Sequence, residues 1–142
     1  GLLEPIILNI GLGVWLVMAR VHRDEKREDR IRMEVVVDAY TAHEQALGWY
    51  YYLEDKMDVP FEARCIKERE VSPVEEGETV RVEGMSSVEA CQSEMFVTVD
   101  WDDRELGVPL AQLDPIEGSS DTEEAVADWH YWVGRGYRFI DN

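Results

Sequence analysis

The distribution of apolar positions divides the chain into an apolar beginning and a mixed body. Residues 2–21, LLEPIILNIGLGVWLVMARV, form the only strongly apolar run, and Arg20, His22, Arg23, Lys26 and Arg27 cluster at its end. A membrane helix needs about 20 predominantly apolar residues, and Glu4, Pro5 and Asn9 leave a clean stretch only from Ile10 to Ala19. A signal peptide carries its basic residues before the apolar run, not after it, whereas a basic cluster behind the run suits the cytoplasmic side of an anchor. Residues 1–22 are therefore expected to be an apolar extension, with a membrane tether through residues 2–21 as the alternative. Residues 23–142 are expected to form one domain.

From Asp24 the periodicity becomes helical. Ile31, Val35 and Asp38 fall at helical spacing in a charged segment that ends near Ala39. TAHEQALGWYYYLEDKM then predicts an amphipathic helix: Thr41 with Glu44 has the form of a capping box, Leu47, Tyr50 and Tyr51 repeat at helical spacing, and Asp58-Val59-Pro60 stops it. Alternation takes over in FEARCIKERE, with Phe61, Ala63 and Cys65 on one face, and returns in TVRVEGM and EMFVTVDW. RELGVPLAQLDPI follows an acidic turn. The last segment, SSDTEEAVADWHYWVGRGYRF, has Ser120 or Asp121 as the expected cap and a stripe of Ala125, Val126, Trp129 and Val133, with Gly134 or Gly136 as the stop. These elements predict an α+β fold: a small bent antiparallel sheet of SH3-like barrel character, flanked by N-terminal and C-terminal helices.

At 142 residues the chain is long enough for one real core, and 45 % apolar residues with five Trp and six Tyr argue for a folded chain. Charge changes the picture more. There are 31 acidic and 14 basic residues, giving −17; residues 1–32 hold five acids and six bases, which leaves 26 acids and eight bases for the rest. Such a field repels phosphate backbones and argues against nucleic acid as a partner, while it attracts cations. Solubility or adaptation to high salt is the simplest reading of it, and three lysines against eleven arginines fit that reading. Cys65 and Cys91 have neither CxxC spacing nor a histidine nearby, so they read as small buried residues in a reduced cytosolic protein, with a disulfide between them as the alternative.

No motif announces catalysis. Gly11-Leu12-Gly13 lacks the third glycine and the strand–turn–helix setting of a dinucleotide fingerprint. Asp128 and His130 stand two apart on a predicted helix and point in different directions, so His130 reads as structural. What remains is carboxylate. Calcium takes six to eight hard oxygen ligands. In DWDDRELG, Asp100 and Asp102 fit the first and third positions of an EF-hand loop, but Arg104 replaces a ligand and Glu105 replaces the glycine of the sharp turn. Asp102 and Asp103 thus read first as turn residues that can lend ligands to a composite site. Glu54 and Asp55 at a helix C-terminus oppose the macrodipole, a placement that invites a cation; Asp58 is expected to join them.

Taken together, VVDAY (36–40), GWYYYLED (48–55), PFEARC (60–65), VPLAQL (108–113) and DWHYWVGRGY (128–137) resemble the cyanobacterial calcium-binding protein family, CcbP-like, in order and spacing. The resemblance runs from about Asp24 to Phe139 and does not cover the apolar start. It implies a non-enzymatic, cytoplasmic, acidic protein that binds Ca²⁺ without an EF-hand and buffers it, releasing the ion as a signal when the protein is destroyed by a regulatory protease. The acids embedded in those motifs, Asp38, Glu54, Asp55 and Asp128, are the first metal-ligand candidates. Asp102 and Asp103 come second, and Glu44 third as a companion of Asp38. Two rival expectations stand beside this one: an SH3-like module that binds a basic protein partner, and a salt-adapted domain with no specific ion.

Overall fold

A computed structural model of the chain describes residues 3–11 and 14–141, with side chains described for 3–5 and 21–141. The apolar start is not helical. Strands β1 (Leu3–Gly11) and β2 (Val14–Val21) pair antiparallel, Leu3 opposite Val21 and Asn9 opposite Trp15. Among the described residues no helix is long and apolar enough to cross a membrane. The base of this two-stranded sheet is tied to the body through Arg135, whose Nη1 donates to the Glu4 carboxylate and, at 2.9 Å, to the carbonyl of Val21.

Helix α1 (Glu25–Arg30) is capped by the Asp24 carboxylate and runs into a single π turn, Ile31–Val35. Ile31 and Val35 face the core, as their spacing predicts, but the helical path ends there and Asp38 lies beyond it in a turn. Helix α2 (Ala42–Lys56) begins with the expected capping box of Thr41 and Glu44. Its buried face is centred on Ala46, Trp49, Tyr50 and Leu53, while Tyr51, expected inside, is exposed. The inward phase of α2 is set by contact with the C-terminal helix, the π turn and the sheet. Gly48 lies so close to the π turn that a Cβ there would collide with the Val35 carbonyl.

Five strands make the main sheet: β3 (Phe61–Cys65), β4 (Thr79–Met85), β5 (Phe96–Trp101), β6 (Arg104–Pro109) and β7 (Leu113–Ile116). Their order is β6-β5-β4-β3-β7, every pairing antiparallel. The edge strands β6 and β7 do not pair, so the sheet is open, not a closed barrel. A register shift between Val82 and Gly84 breaks the regular pairing of β4 with β5. Alternation puts Phe61, Ala63 and Cys65 on the core side, with Val97, Val99, Val80 and Val82 beside them.

Helix α3 (Ser120–Gly134) closes the layer above the sheet. Its cap is Ser119, one residue before the expected one: the Ser119 hydroxyl accepts from the Thr122 N–H at 3.1 Å. Gly136, at φ +87, takes the left-handed position that ends the helix. The Trp49 and Trp129 rings meet edge-on at 5.0 Å between centroids, and Trp132 stacks on Trp129 at 5.6 Å. Cys65 and Cys91 are buried free thiols, and burial pushes both up from the ordinary thiol pKa.

Candidate metal centre

The carboxylates collect where turns meet helix ends. After the π turn the chain reverses, with the Ala39 N–H donating to the Val36 carbonyl at 3.1 Å, and Asp38 sits at φ +53. Asp is among the few residues that adopt this left-handed conformation readily. The Asp38 carboxylate is exposed, and its partner among the described residues is the Tyr40 hydroxyl, which donates to Oδ1 at 3.3 Å. A carboxylate offers about four lone-pair positions, so most of its acceptor capacity is free for a hard cation.

Glu44 reaches back to the residues that follow this turn, and one of its oxygens is engaged. Glu44 Oε1 accepts from the N–H groups of Tyr40 at 3.3 Å and Thr41 at 3.1 Å, completing the cap. Asp141, which no sequence signal singles out, arrives from the far end of the chain and accepts the Ala42 N–H at 2.7 Å. The buried Gln45 amide donates to the carbonyls of Ala39 at 3.4 Å and Ile140 at 2.9 Å. Beside this turn lies a cleft of about 540 Å³ walled by Ile31, Val36, Trp132 and Tyr137, with Asp38 and Tyr40 at its lip.

Glu54 and Asp55 are exposed on the last turn of α2. Asp55 lines a shallow cleft of about 750 Å³ together with Glu34, Tyr51 and Lys56. Asp58 does not join them. Its Oδ2 accepts the Ser119 hydroxyl at 2.5 Å, and its N–H donates to Thr122 Oγ1 at 2.7 Å, which fixes it at the start of α3. There it lines a cleft of about 330 Å³ with Glu62, Arg81 and Glu117. Glu62 and Glu117 were invisible as neighbours in the sequence because β3 and the end of β7 meet only through sheet pairing, Glu62 opposite Ile116.

Asp102 and Asp103 are the two residues of the β5–β6 hairpin loop, at φ +51 and +60, between the paired Trp101 and Arg104. Two consecutive left-handed residues define the type I′ turn that matches strand twist, and Asp is one of the residues that tolerate it. Turn geometry therefore accounts for both, and both stay exposed.

Asp128 is placed differently from the other candidates. It is fully buried, accepting from Arg27 Nη1 at 2.6 Å, Arg30 Nη2 at 2.7 Å, Arg30 Nε at 2.9 Å and the Tyr52 hydroxyl at 2.7 Å. Two guanidiniums already neutralise it, and a cation would have to displace them. The physical reason is non-local: α1 and α3 pack so that two arginines converge on one carboxylate. The Tyr52 hydroxyl, buried and bonded to that carboxylate, is held protonated well above its ordinary range. His130 Nε2 lies 3.1 Å from the Leu110 carbonyl, and burial lowers its pKa.

Among the described residues no three His, Cys, Asp or Glu side chains converge closely enough to hold a metal ion by themselves. Any ion at the Asp38 turn would therefore draw on backbone carbonyls and water as well as carboxylate, which is ordinary for calcium. The fold and these turns define a small acidic α+β domain whose oxygen donors suit a hard divalent cation. A family model described as calcium binding, of the CcbP type, matches residues 29–133. The crystal structure of Anabaena CcbP is 42 % identical, with a TM-score of 0.77 over 86 % of this chain and 100 % of that one. A calcium binding protein in the calcium-binding form is 41 % identical, with a TM-score of 0.73 over 82 % of this chain and 96 % of that one. No curated protein matches the chain. The chain belongs to the CcbP calcium-binding family, and Ca²⁺ is its ion.

Proposed function

We propose that the chain is a non-enzymatic calcium buffer of the cytoplasm that binds the ion at clustered carboxylates without an EF-hand and yields it as a signal when a regulatory protease destroys the protein. The observation that carries this reading is the Asp38 turn, where an exposed carboxylate keeps most of its acceptor capacity beside Glu44. Asp38 is the principal ligand, with Glu44 as its companion. Glu54 and Asp55, then Asp102 and Asp103, supply weaker sites through the acidic field. Asp128 is left out of the ligand set because its oxygens are committed to Arg27 and Arg30. The segment 100–105 is a β hairpin with a two-residue loop.

Sites of this kind, exposed and without three converging acidic side chains, suggest affinity of about 10⁻⁶ to 10⁻⁴ M. Part of it should fade with salt, since exposed charges are screened over about 8 Å at physiological ionic strength. Residues 1–22 act as an appended extension rather than as part of the ion-binding domain. The test is a calorimetric calcium titration of the whole chain with magnesium present, on wild type and Asp38→Asn. Saturable binding weakened at least about tenfold by the substitution, a loss of about 1.4 kcal/mol, supports the reading. Binding unchanged in Asp38→Asn contradicts the assigned ligand, and no saturable heat at all contradicts the buffer.

A further inference from the structure

The segment that follows α3, Tyr137–Asp141, is laid across the start of α2 and fixed at both ends. Tyr137 donates its hydroxyl to Glu28 at 3.0 Å and lies against Trp132 at 5.9 Å between ring centroids. Phe139 packs on Trp132 at 5.3 Å and on Trp129 at 6.0 Å. Ile140 makes a two-way backbone contact with the buried Gln45 side chain: its N–H donates to Oε1 at 3.2 Å and its carbonyl accepts from Nε2 at 2.9 Å. The same Nε2 reaches the Ala39 carbonyl at 3.4 Å, next to Asp38. Asp141 then accepts the Ala42 N–H, one of the first-turn donors that no helical carbonyl can satisfy. One amide thus joins the strap to the turn that bears the proposed ligand.

We propose that Tyr137–Asp141 is a positioning strap that holds the Asp38 turn in its left-handed form through Gln45 and Asp141, so that strap docking and calcium binding favour each other. The proposal rests on the reading of Asp38 as ligand. A left-handed residue in an exposed turn is held only as firmly as its neighbours are held. Here the neighbouring Ala39 carbonyl is tied by a side chain whose remaining hydrogen bonds all go to the strap. Undocking frees the turn to explore other conformations, and calcium must then order it again at binding, which lowers affinity. Coupling is reciprocal: whatever docking adds to calcium affinity, calcium adds to docking.

The test compares wild type, Gln45→Leu, Asp141→Ala and Asp141→Asn in calcium titrations of the whole chain, with amide hydrogen exchange of Ala42 and Ile140 followed by NMR. Asp141 is exposed, so its variants fold whatever becomes of Gln45→Leu. Gln45→Leu and Asp141→Ala should weaken calcium binding by about five- to tenfold, the lower part of the usual range for coupled sites. Asp141→Asn keeps the oxygen that accepts from Ala42 and should bind as wild type. In wild type, calcium should slow exchange at Ala42 and Ile140 beyond any change in global stability. If Asp141→Asn is as weak as Asp141→Ala, the carboxylate charge matters rather than the strap, and the proposal is overturned. Wild-type affinity in both strap variants, alongside a weakened Asp38→Asn, overturns the strap and leaves the site standing. Unchanged binding in Asp38→Asn removes the site and the strap with it.

Discussion

Replacing Asp128 with Asn decides whether that carboxylate holds helices together or serves an ion. The side chain is wholly buried and receives four hydrogen bonds at 2.6–2.9 Å from Arg27, Arg30 and Tyr52. An amide removes the charge and turns one acceptor into a donor that faces a guanidinium. Removing one partner of a buried ion pair costs about 3–5 kcal/mol. The Arg27 and Arg30 side chains are 25 % and 23 % exposed, so water recovers part of their solvation once the carboxylate is gone. The expected loss is accordingly at the lower end, about 3 kcal/mol, against a total stability of about 5–15 kcal/mol for a domain. At about 2–4 °C per kcal/mol for a chain near this size, Tm should fall by about 6–12 °C. Urea denaturation followed by far-UV circular dichroism, with calcium chelated, gives the difference directly. Calcium affinity, measured where the variant is folded, should stay within about twofold of wild type, as for independent sites. A loss below about 1 kcal/mol would refute the clamp, being no more than an exposed ion pair is worth. Normal stability with a missing calcium site would show Asp128 to be a ligand after all.

Other consequences can be checked with the same assays. Burial lowers the His130 pKa from its ordinary 6.5, so below that pH the unfolded chain takes up the proton first. Its contribution to stability is present above 6.5 and lost as pH falls through the depressed folded value; His130→Gln should flatten that slope, and an unchanged slope would contradict it. Tyr131, pushed up to about 12 from 10 chiefly by burial, works in the opposite direction. Its contribution is intact below pH 10 and declines from there toward 12, a decline that Tyr131→Phe should remove from alkaline denaturation curves. Asp103→Gly, at φ +60 in a type I′ turn, should raise stability by about 0.5 kcal/mol and remove only weak calcium binding; loss of the strongest site would move the principal ligand from Asp38 to the hairpin. Gly48→Ala drives a Cβ into the backbone oxygen of Val35 and should cost about 2 kcal/mol, whereas a neutral result would mean that α2 and the π turn separate easily.

What could be read from the sequence was what depends on near neighbours. The capping box of Thr41 and Glu44, the alternation through Phe61, Ala63 and Cys65, and the end of α3 near Gly134 all use signals within one or two turns of chain. The phase of α2 was harder, because its run of three tyrosines offers an apolar face in every direction and only packing chooses Tyr52 over Tyr51. The secondary structure of the apolar start was left open for a related reason. A run with hardly any polar position has no period, so a strand pair and a helix cannot be told apart in it. Asp128 stood among the first ligand candidates because its partners, Arg27 and Arg30, lie 101 and 98 residues away and leave no local signal. Asp38 was identified as a candidate, but on a helical stripe. Its left-handed turn, and the arrival of Asp141 beside it, depend on the reversal after Val35 and on the path of the chain beyond α3.

Anomalous scattering from crystals grown with calcium shows whether the ion sits at the Asp38 turn. The expected result is a peak bonded to the Asp38 carboxylate, with oxygen ligands at about 2.3–2.6 Å that include backbone carbonyls or water. Peaks confined to the ends of other elements, at Asp55 or between Asp58 and Glu117, with the Asp38 turn empty, would contradict it.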